Sequence, residues 1–130
     1  PCGGAIGQIA YYYDGNIYTC DEGRMLSEMG DDSFKLGNVF DNDYKELMES
    51  DCTKTMCIAS CLECLPYCNS CVYMPYCGVC PVINLAQDNN IFAQNPNEYR
   101  CEIYKGILDI LFEYIENDPE NINVFNRWVK

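Results

Sequence analysis

CNSCVYMPYCGVC, residues 68–80, places four cysteines within thirteen positions, arranged as two Cys-x2-Cys pairs. Thiolates spaced in this way lie one tight turn apart and can bind the same metal ion or cluster. The chain has 130 residues, with eleven cysteines and no histidine. The pattern therefore predicts a site built from thiolates alone. It excludes Cys2His2 zinc sites, Rieske centres and nucleophiles activated by histidine.

The cysteine content fits three classes of protein: a zinc protein, an iron–sulfur protein or a secreted disulfide scaffold. Repeated Cys-x2-Cys pairs favour a metal, and an odd number of cysteines disfavours complete pairing in disulfides. No secretory leader is recognisable, so we expect a cytoplasmic protein that keeps its thiols reduced.

Charge and hydropathy narrow the choice of partners. The formal net charge of -12 would repel phosphate backbones and anionic lipids, so neither nucleic acid nor membrane is expected as a partner. No apolar run reaches the roughly eighteen residues that a membrane-spanning helix needs. Hydrophobic residues make up 48% of the chain, which predicts a packed globule, and its length predicts one domain over residues 1–130.

The segment GQIAYYYDGNIYTC, residues 7–20, predicts a β-hairpin, because Asp14-Gly15 lies between two runs rich in tyrosine and isoleucine. Cys2 precedes the first arm and Cys20 ends the second. The turn would therefore bring two distant thiols near each other. We assign residues 1–20 to this hairpin.

Short helices are predicted over DEGRMLSEM, with Gly30 as its stop, and over residues 41–50, with an extended piece between them. Residues 52–80 contain eight of the eleven cysteines and have neither helical nor strand periodicity. We therefore expect this stretch to form irregular loops that are ordered only by bound metal.

The clearest helix is predicted over residues 97–117, after Asn95-Pro96-Asn97. Its apolar stripe consists of Tyr99, Ile103, Ile107, Ile110, Leu111, Tyr114 and Ile115. Asp118-Pro119 then predicts a last short helix, which would bury Ile122, Phe125 and Trp128. These elements together predict an α+β fold with a small β-hairpin, cysteine-rich irregular loops and a C-terminal helix, built around metal clusters.

Seven cysteines and one glycine, in order, resemble the SPASM domain, the auxiliary C-terminal extension of many radical S-adenosylmethionine (SAM) enzymes. They read Cys2-x12-Gly15-x4-Cys20, then Cys68-x2-Cys71-x5-Cys77-x2-Cys80, then Cys101. The spacing between Cys77 and Cys80 is one residue shorter than in the family. LGNV at 36–39 is similar to another recurring element, and PYCGVCPV with CEIYKGILDILFEYI is most similar to the maturases of His-Xaa-Ser peptide systems. The resemblance covers about residues 1–115.

The resemblance implies two auxiliary [4Fe-4S] clusters. Cys68, Cys71, Cys77 and Cys101 would bind the second cluster, and Cys2, Cys20 and Cys80 would bind the first. The family often supplies a fourth ligand to the first cluster from inside the hairpin, where this chain has no cysteine. That position is either open or filled from a group of four further cysteines, which could instead bind a third cluster or be free buried thiols: Cys52, Cys57, Cys61 and Cys64.

Residues 57–64, CIASCLEC, match the Cys-x3-Cys-x2-Cys spacing of the radical-SAM motif itself. We do not assign SAM cleavage to this chain, since the family performs it in a partial α/β barrel that needs many more residues. SAM and its own cluster are expected in that barrel, as the N-terminal part of the parent enzyme.

Asp21 follows Cys20 directly. In sulfatase-maturing relatives the acid at this position is the proposed general base, so the resemblance makes Asp21 a candidate catalytic base. The alternative is that Asp21 favours the first turn of a helix, with an ordinary surface salt bridge to Arg24.

The function implied by the resemblance is that of an auxiliary cluster domain. It would relay electrons and help bind a precursor peptide or protein during post-translational modification, beside the barrel of the parent chain. Alone, it is not expected to catalyse the reaction. The alternative from composition is a zinc-stabilised, acidic protein-interaction module.

Overall fold

The computed structural model describes residues 2–92 and 99–129, and it confirms the α+β class. A small antiparallel sheet of three strands, paired in chain order, lies with the first four helices in the first two thirds of the chain. The Asn95-Pro96-Asn97 segment, predicted to precede the long helix, lies outside the described residues.

The predicted hairpin is present, with strands β1 (Ala10–Tyr11) and β2 (Asn16–Tyr18). Gly15 has a φ of +87°, which glycine adopts without steric cost, and the Asp14 carboxylate accepts a hydrogen bond from the amide of Asn16 at 2.9 Å. The paired strands cover less of the chain than the predicted hairpin, which was assigned to residues 1–20. The chain before it turns back so that the Ala5 amide donates to the Thr19 carbonyl at 2.8 Å.

The two short helices and the extended piece between them are also confirmed. Helix α1 (Asp21–Glu28) begins at Cys20, β3 (Lys35–Asn38) pairs with β2, and α2 (Tyr44–Glu49) begins with an Asp43–Glu46 capping box. A capping box satisfies backbone donors that a free helix start would leave without partners.

The prediction of irregular loops over 52–80 is wrong for the first part of that stretch. Asp51–Ser60 is helix α3, which begins at Ser50, whose hydroxyl accepts from the Thr53 amide at 3.1 Å. Thr53, Met56 and Ala59 recur every third residue and are buried, while the cysteines lie between them. The three-residue period of these small and apolar side chains indicated a helix.

Beyond α3 the chain is irregular, as predicted. Single turns of 3-10 helix lie at Leu62–Cys64 and Met74–Tyr76, and the remainder of residues 61–80 consists of turns and extended pieces. Helix α4 (Pro81–Asp88) begins at Cys80, with proline in its first turn.

Helix α5 (Tyr99–Asn117) confirms the long C-terminal helix, but only Leu111 and Ile115 of the predicted stripe are half-buried. Tyr99, Ile103, Ile107, Ile110 and Tyr114 are 49–61% exposed. The face turned towards the protein is half-buried and carries Cys101, Lys105, Leu108, Leu111 and Ile115. The helix therefore has two apolar faces, and the one that contains the cysteine packs inward.

The predicted last short helix is present, but the prediction that its apolar side chains are buried is wrong. Asp118 accepts a hydrogen bond from the Glu120 amide, a 3-10 turn covers Pro119–Asn121 and α6 (Ile122–Phe125) follows. Ile122 and Trp128 are exposed and Phe125 is half-buried. The reason is that this segment packs mainly on the end of α5 rather than on the core.

The hydrophobic core lies where the sheet, α1 and α3 meet. Phe34, Ile17 and Met56 are its largest fully buried apolar side chains together with Leu65. No side chain among residues 85–92 and 99–129 is buried. Within the described parts of the chain, no helix is both long enough and apolar enough to cross a bilayer.

Candidate metal centre

Four of the predicted ligands interact electrostatically: Cys68, Cys71, Cys77 and Cys101. Burial raises the pKa of the Cys68 thiol. Three other thiolates raise the same pKa further, those of Cys77, Cys101 and Cys71. Burial also raises the pKa of Cys77, to which Cys101 and Cys71 again contribute. The fold thus groups two Cys-x2-Cys loops with a cysteine from a distant helix.

Lys105 also belongs to this group, as the cation that acts on two of its thiols. It lies four residues after Cys101, and therefore one turn further along the same face of α5. Its positive charge lowers the pKa values of Cys68 and Cys77, against the larger raising effect of burial. The four-residue spacing was visible in the sequence and identifies the cation that faces the thiols.

Aromatic contacts attach helix α5 to the cysteine loops. The Tyr73 hydroxyl donates to the Asp109 carboxylate, and the rings of Tyr76 and Phe112 meet edge to face with centroids 5.1 Å apart. An apolar cavity of about 300 Å³ lies beside these contacts, lined by Tyr76, Cys77, Gly78, Tyr104, Ile107 and Leu108. One of the four thiols thus borders open space between the loop and the helix.

The four grouped thiols lie near one another, but their sulfur atoms do not converge on one point. Within residues 2–92 and 99–129, no three cysteine or carboxylate side chains stand close enough together to hold one metal ion. A tetrahedral zinc ion with Zn–S bonds near 2.3 Å requires sulfur atoms about 3.8 Å apart. A four-iron cluster separates its thiolate ligands further because the cluster itself lies between them. The donor set of four thiols, two loops and one helix fits such a cluster in chemistry.

Cys20 is buried in the core, whereas Cys2 is exposed. The buried Cys20 sulfur caps α1 and accepts a hydrogen bond from the Gly23 amide at 3.4 Å. The Cys2 sulfur accepts one from the Gly4 amide, also at 3.4 Å. Amide donors stabilise thiolate over thiol, although burial is the larger effect and raises the pKa of Cys20.

Cys80, the third predicted ligand of the first cluster, packs against the same core cluster that contains Cys20. It lies at the start of α4, as Cys20 lies at the start of α1. Helix N-termini favour a negative sulfur. A Cβ at Gly4 would lie 2.6 Å from the Met56 methyl group and 3.5 Å from the Cys2 sulfur, so Cys2 lies near Met56, which belongs to the same core cluster as Cys20.

The remaining four cysteines do not form one group. The Cys52 thiol lies near the Ser33 carbonyl at 3.5 Å, and burial raises its pKa to about 11. Cys57 lies five residues further along α3, on a different face of the helix. Cys61 donates to the Glu63 carboxylate at 3.2 Å and interacts with Cys64. Of the four, Cys52 packs against the core that also contacts Cys80.

Asp21 occupies the first turn of α1, and its carboxylate accepts from the Arg24 side chain at 2.8 Å. The Asp21 side chain is 66% exposed, and the Arg24 guanidinium also lies over the ring of Tyr12, 5.1 Å from its centroid. This arrangement is the surface salt bridge between Asp21 and Arg24 that was the alternative to a catalytic role, and it directly follows Cys20 in the chain.

A scan against protein-family models, a search of curated proteins and a search of solved structures find no significant match to this chain. Arguments about its function therefore rest on its residues and their arrangement.

Proposed function

We propose that this chain is the auxiliary iron–sulfur domain of a radical SAM enzyme that modifies a peptide or protein, a SPASM domain in class. The observation that carries the proposal is the electrostatic grouping of Cys68, Cys71, Cys77 and Cys101. These are the four residues that the resemblance assigns to one cluster. The last of them, Cys101, lies on helix α5, 24 residues after Cys77. A local loop motif therefore does not account for its place in the group.

In this proposal the four grouped thiolates bind one [4Fe-4S] cluster. Lys105 partly offsets their charge, because four thiolates in a chain of net charge -12 repel one another. Tyr73 and Tyr76 hold α5 against the loops, so that Cys101 stays opposite the two Cys-x2-Cys pairs. A bound cluster of this type supplies one-electron transfer.

Cys2, Cys20 and Cys80 bind the first cluster in the same proposal. The Gly4 and Gly23 amides donate to the Cys2 and Cys20 sulfurs, and the Gly23 amide opposes the rise that burial causes in the pKa of Cys20. Cys52 is the nearest source of a fourth thiolate by its packing on the shared core, provided that it leaves the Ser33 carbonyl. Otherwise the first cluster keeps an open position.

The parent enzyme would supply the radical SAM barrel, with SAM and its own cluster, as the main partner of this domain. A precursor peptide or protein would be the substrate, and Asp21 would act as the general base in its modification. Eleven reduced cysteines favour the cytoplasm. The domain alone is not proposed to catalyse the reaction.

The test is to purify the 130-residue chain anaerobically, reconstitute it with iron and sulfide, and measure iron, acid-labile sulfide and zinc per chain with the absorption spectrum. We expect roughly eight irons, two clusters' worth. Cys101→Ser should lose roughly four of them, since it removes one ligand of the grouped set. Cys57→Ser is the matched control.

Three results discriminate among the alternatives. Unchanged iron in Cys101→Ser would contradict the grouped site, and roughly twelve irons in the wild type with loss in Cys57→Ser would establish a third cluster. Stoichiometric zinc without iron after reconstitution would replace the proposal by the zinc-stabilised acidic interaction module.

A further inference from the structure

The outer face of helix α5 is an apolar surface that nothing in the described chain covers. Its members are Tyr99, Ile103, Ile107, Ile110 and Tyr114, each about half or more exposed. They follow one another at intervals of four, four, three and four residues. This spacing produces a straight seam of the kind by which one helix packs along another. The seam extends about 22 Å along the helix axis.

The opposite face of α5 already meets the protein, so the seam is a second contact surface. Cys101, Lys105, Leu108, Leu111 and Ile115 are half-buried on that inner face. Ile107 also lines the cavity of about 300 Å³ beside Tyr76 and Cys77. The seam therefore continues at its middle into a depression that a side chain of a bound segment can enter.

Acidic residues define one edge of the seam. Glu102, Asp109 and Glu113 each directly precede a seam residue, which rotates all three by the same angle to the same side of the helix. The ion pairs found within residues 2–92 and 99–129 lie elsewhere, on α1, α2 and α3. Asp109 accepts a hydrogen bond from Tyr73, and among the described residues no ion pair involves Glu102, Asp109 or Glu113.

We propose that this face binds an amphipathic helix of a partner protein, with apolar residues at three- and four-residue spacing and lysine or arginine along one edge. The apolar seam supplies the contact area, and the acidic edge selects a basic partner. A second copy of this chain is disfavoured, because it would bring together two chains that each carry a net charge of -12. The proposal does not depend on which metal the cysteines bind.

The test uses the full 130-residue chain, purified anaerobically, and a fluorescein-labelled 19-residue helical peptide with leucine at heptad positions a and d and lysine at e and g. Two further peptides serve as references, one with glutamate in place of lysine and one of the same composition in scrambled order. Fluorescence anisotropy in low and high salt should show micromolar binding of the lysine peptide, about tenfold weaker at high salt. The two reference peptides should bind at least about tenfold more weakly.

Variants locate the binding. Ile103→Ser with Ile110→Ser should weaken binding of the lysine peptide about 100-fold. Ile6→Ser with Val129→Ser removes two exposed apolar residues elsewhere, at 66% and 84% exposure, and should leave it unchanged. Glu102→Gln with Glu113→Gln should weaken it about fivefold and reduce its salt dependence. Circular dichroism of each variant checks that α5 is retained.

The opposite results overturn the proposal. Equal binding of the lysine and glutamate peptides would remove the selection for a basic partner, and equal effects of the two double serine variants would remove the seam. A dimer in sedimentation velocity that dissociates on Ile103→Ser with Ile110→Ser would assign the face to a second copy of the chain.

Discussion

The N-terminal and C-terminal parts of the chain are stabilised by different interactions. Residues up to Leu65 contain twelve of the thirteen buried hydrophobic side chains, and Val82 is the remaining one. Residues 66–80 and 99–129 have no buried side chain and contain four grouped thiols, a few aromatic contacts and one long helix. An apolar core holds the first region without metal, whereas the second has too little buried area to offset its conformational entropy. The comparison teaches that metal binding and folding should be coupled in one region only.

The largest effect predicted by this comparison follows metal removal. Chelation under anaerobic conditions should make the amides of residues 68–80 and 99–117 exchange rapidly with solvent, because in the proposed cluster domain metal binding would supply the folding free energy there. The amides of β2, α1 and α3 should stay protected. Hydrogen exchange read by mass spectrometry measures both regions in one sample. Equal loss of protection everywhere would mean that the core does not stand alone.

The next effect comes from emptying the core. Phe34 is 1% exposed, so Phe34→Ala should lower the free energy of unfolding of the first region by about 3–5 kcal/mol. Phe40→Ala is the matched control, since Phe40 is 83% exposed and should change little. Urea unfolding of metal-free protein measures both variants. A similar loss in the two would show that Phe34 does not anchor the core.

A third prediction concerns pH and the thiol of Cys52, which packs on that core. Burial disfavours its thiolate and raises its pKa to about 11, against about 8.5 for an exposed cysteine. At pH 8 Cys52 should therefore be alkylated by iodoacetamide about 100-fold more slowly than an exposed thiol, in metal-free folded protein. Its rate should rise about tenfold per pH unit up to about pH 11.

The same pKa shift acts on stability with a definite sign. The folded state binds the Cys52 proton more tightly than the unfolded state, so the contribution is complete below about pH 8.5 and is lost as pH rises towards 11. Peptide mass spectrometry of the alkylated protein identifies the residue. Rapid alkylation of Cys52 at pH 8 would place its thiol outside the core.

Local signals in the sequence predicted most of the fold. Asp14-Gly15 determines the hairpin turn, and the acids in the first turn of α1 and the Asp43–Glu46 capping box are local helix-start signals, because turn and cap chemistry act over a few residues. Helix α3 was not predicted from the sequence, because its cysteines were interpreted only as metal ligands. The pattern of small and apolar residues between them was overlooked.

Which cysteines the fold groups could be predicted from the sequence, but their arrangement could not. Spacing placed Cys68, Cys71 and Cys77 together, and resemblance added Cys101, yet the inward face of α5 depends on which of its two apolar faces packs better. That choice is made by tertiary contacts such as Tyr73 with Asp109 and Tyr76 with Phe112, far apart in sequence. Periodicity alone cannot determine which face of α5 packs inward, since both faces have helical spacing.

The smallest predicted effects come from one substitution made in both regions. A Cβ at Gly23 in α1 would lie 2.9 Å from the Phe34 Cβ and 3.0 Å from the Thr19 hydroxyl. Gly23→Ala should therefore destabilise the first region by about 1–2 kcal/mol, as crowding exceeds the gain in helix propensity. A Cβ at Gly106 in α5 meets nothing within 4 Å, so Gly106→Ala should stabilise the helix by about 1 kcal/mol. Thermal unfolding followed by circular dichroism measures both, and opposite signs are required. A destabilising Gly106→Ala would mean that the second region is as tightly packed as the first, which would contradict the comparison at its base.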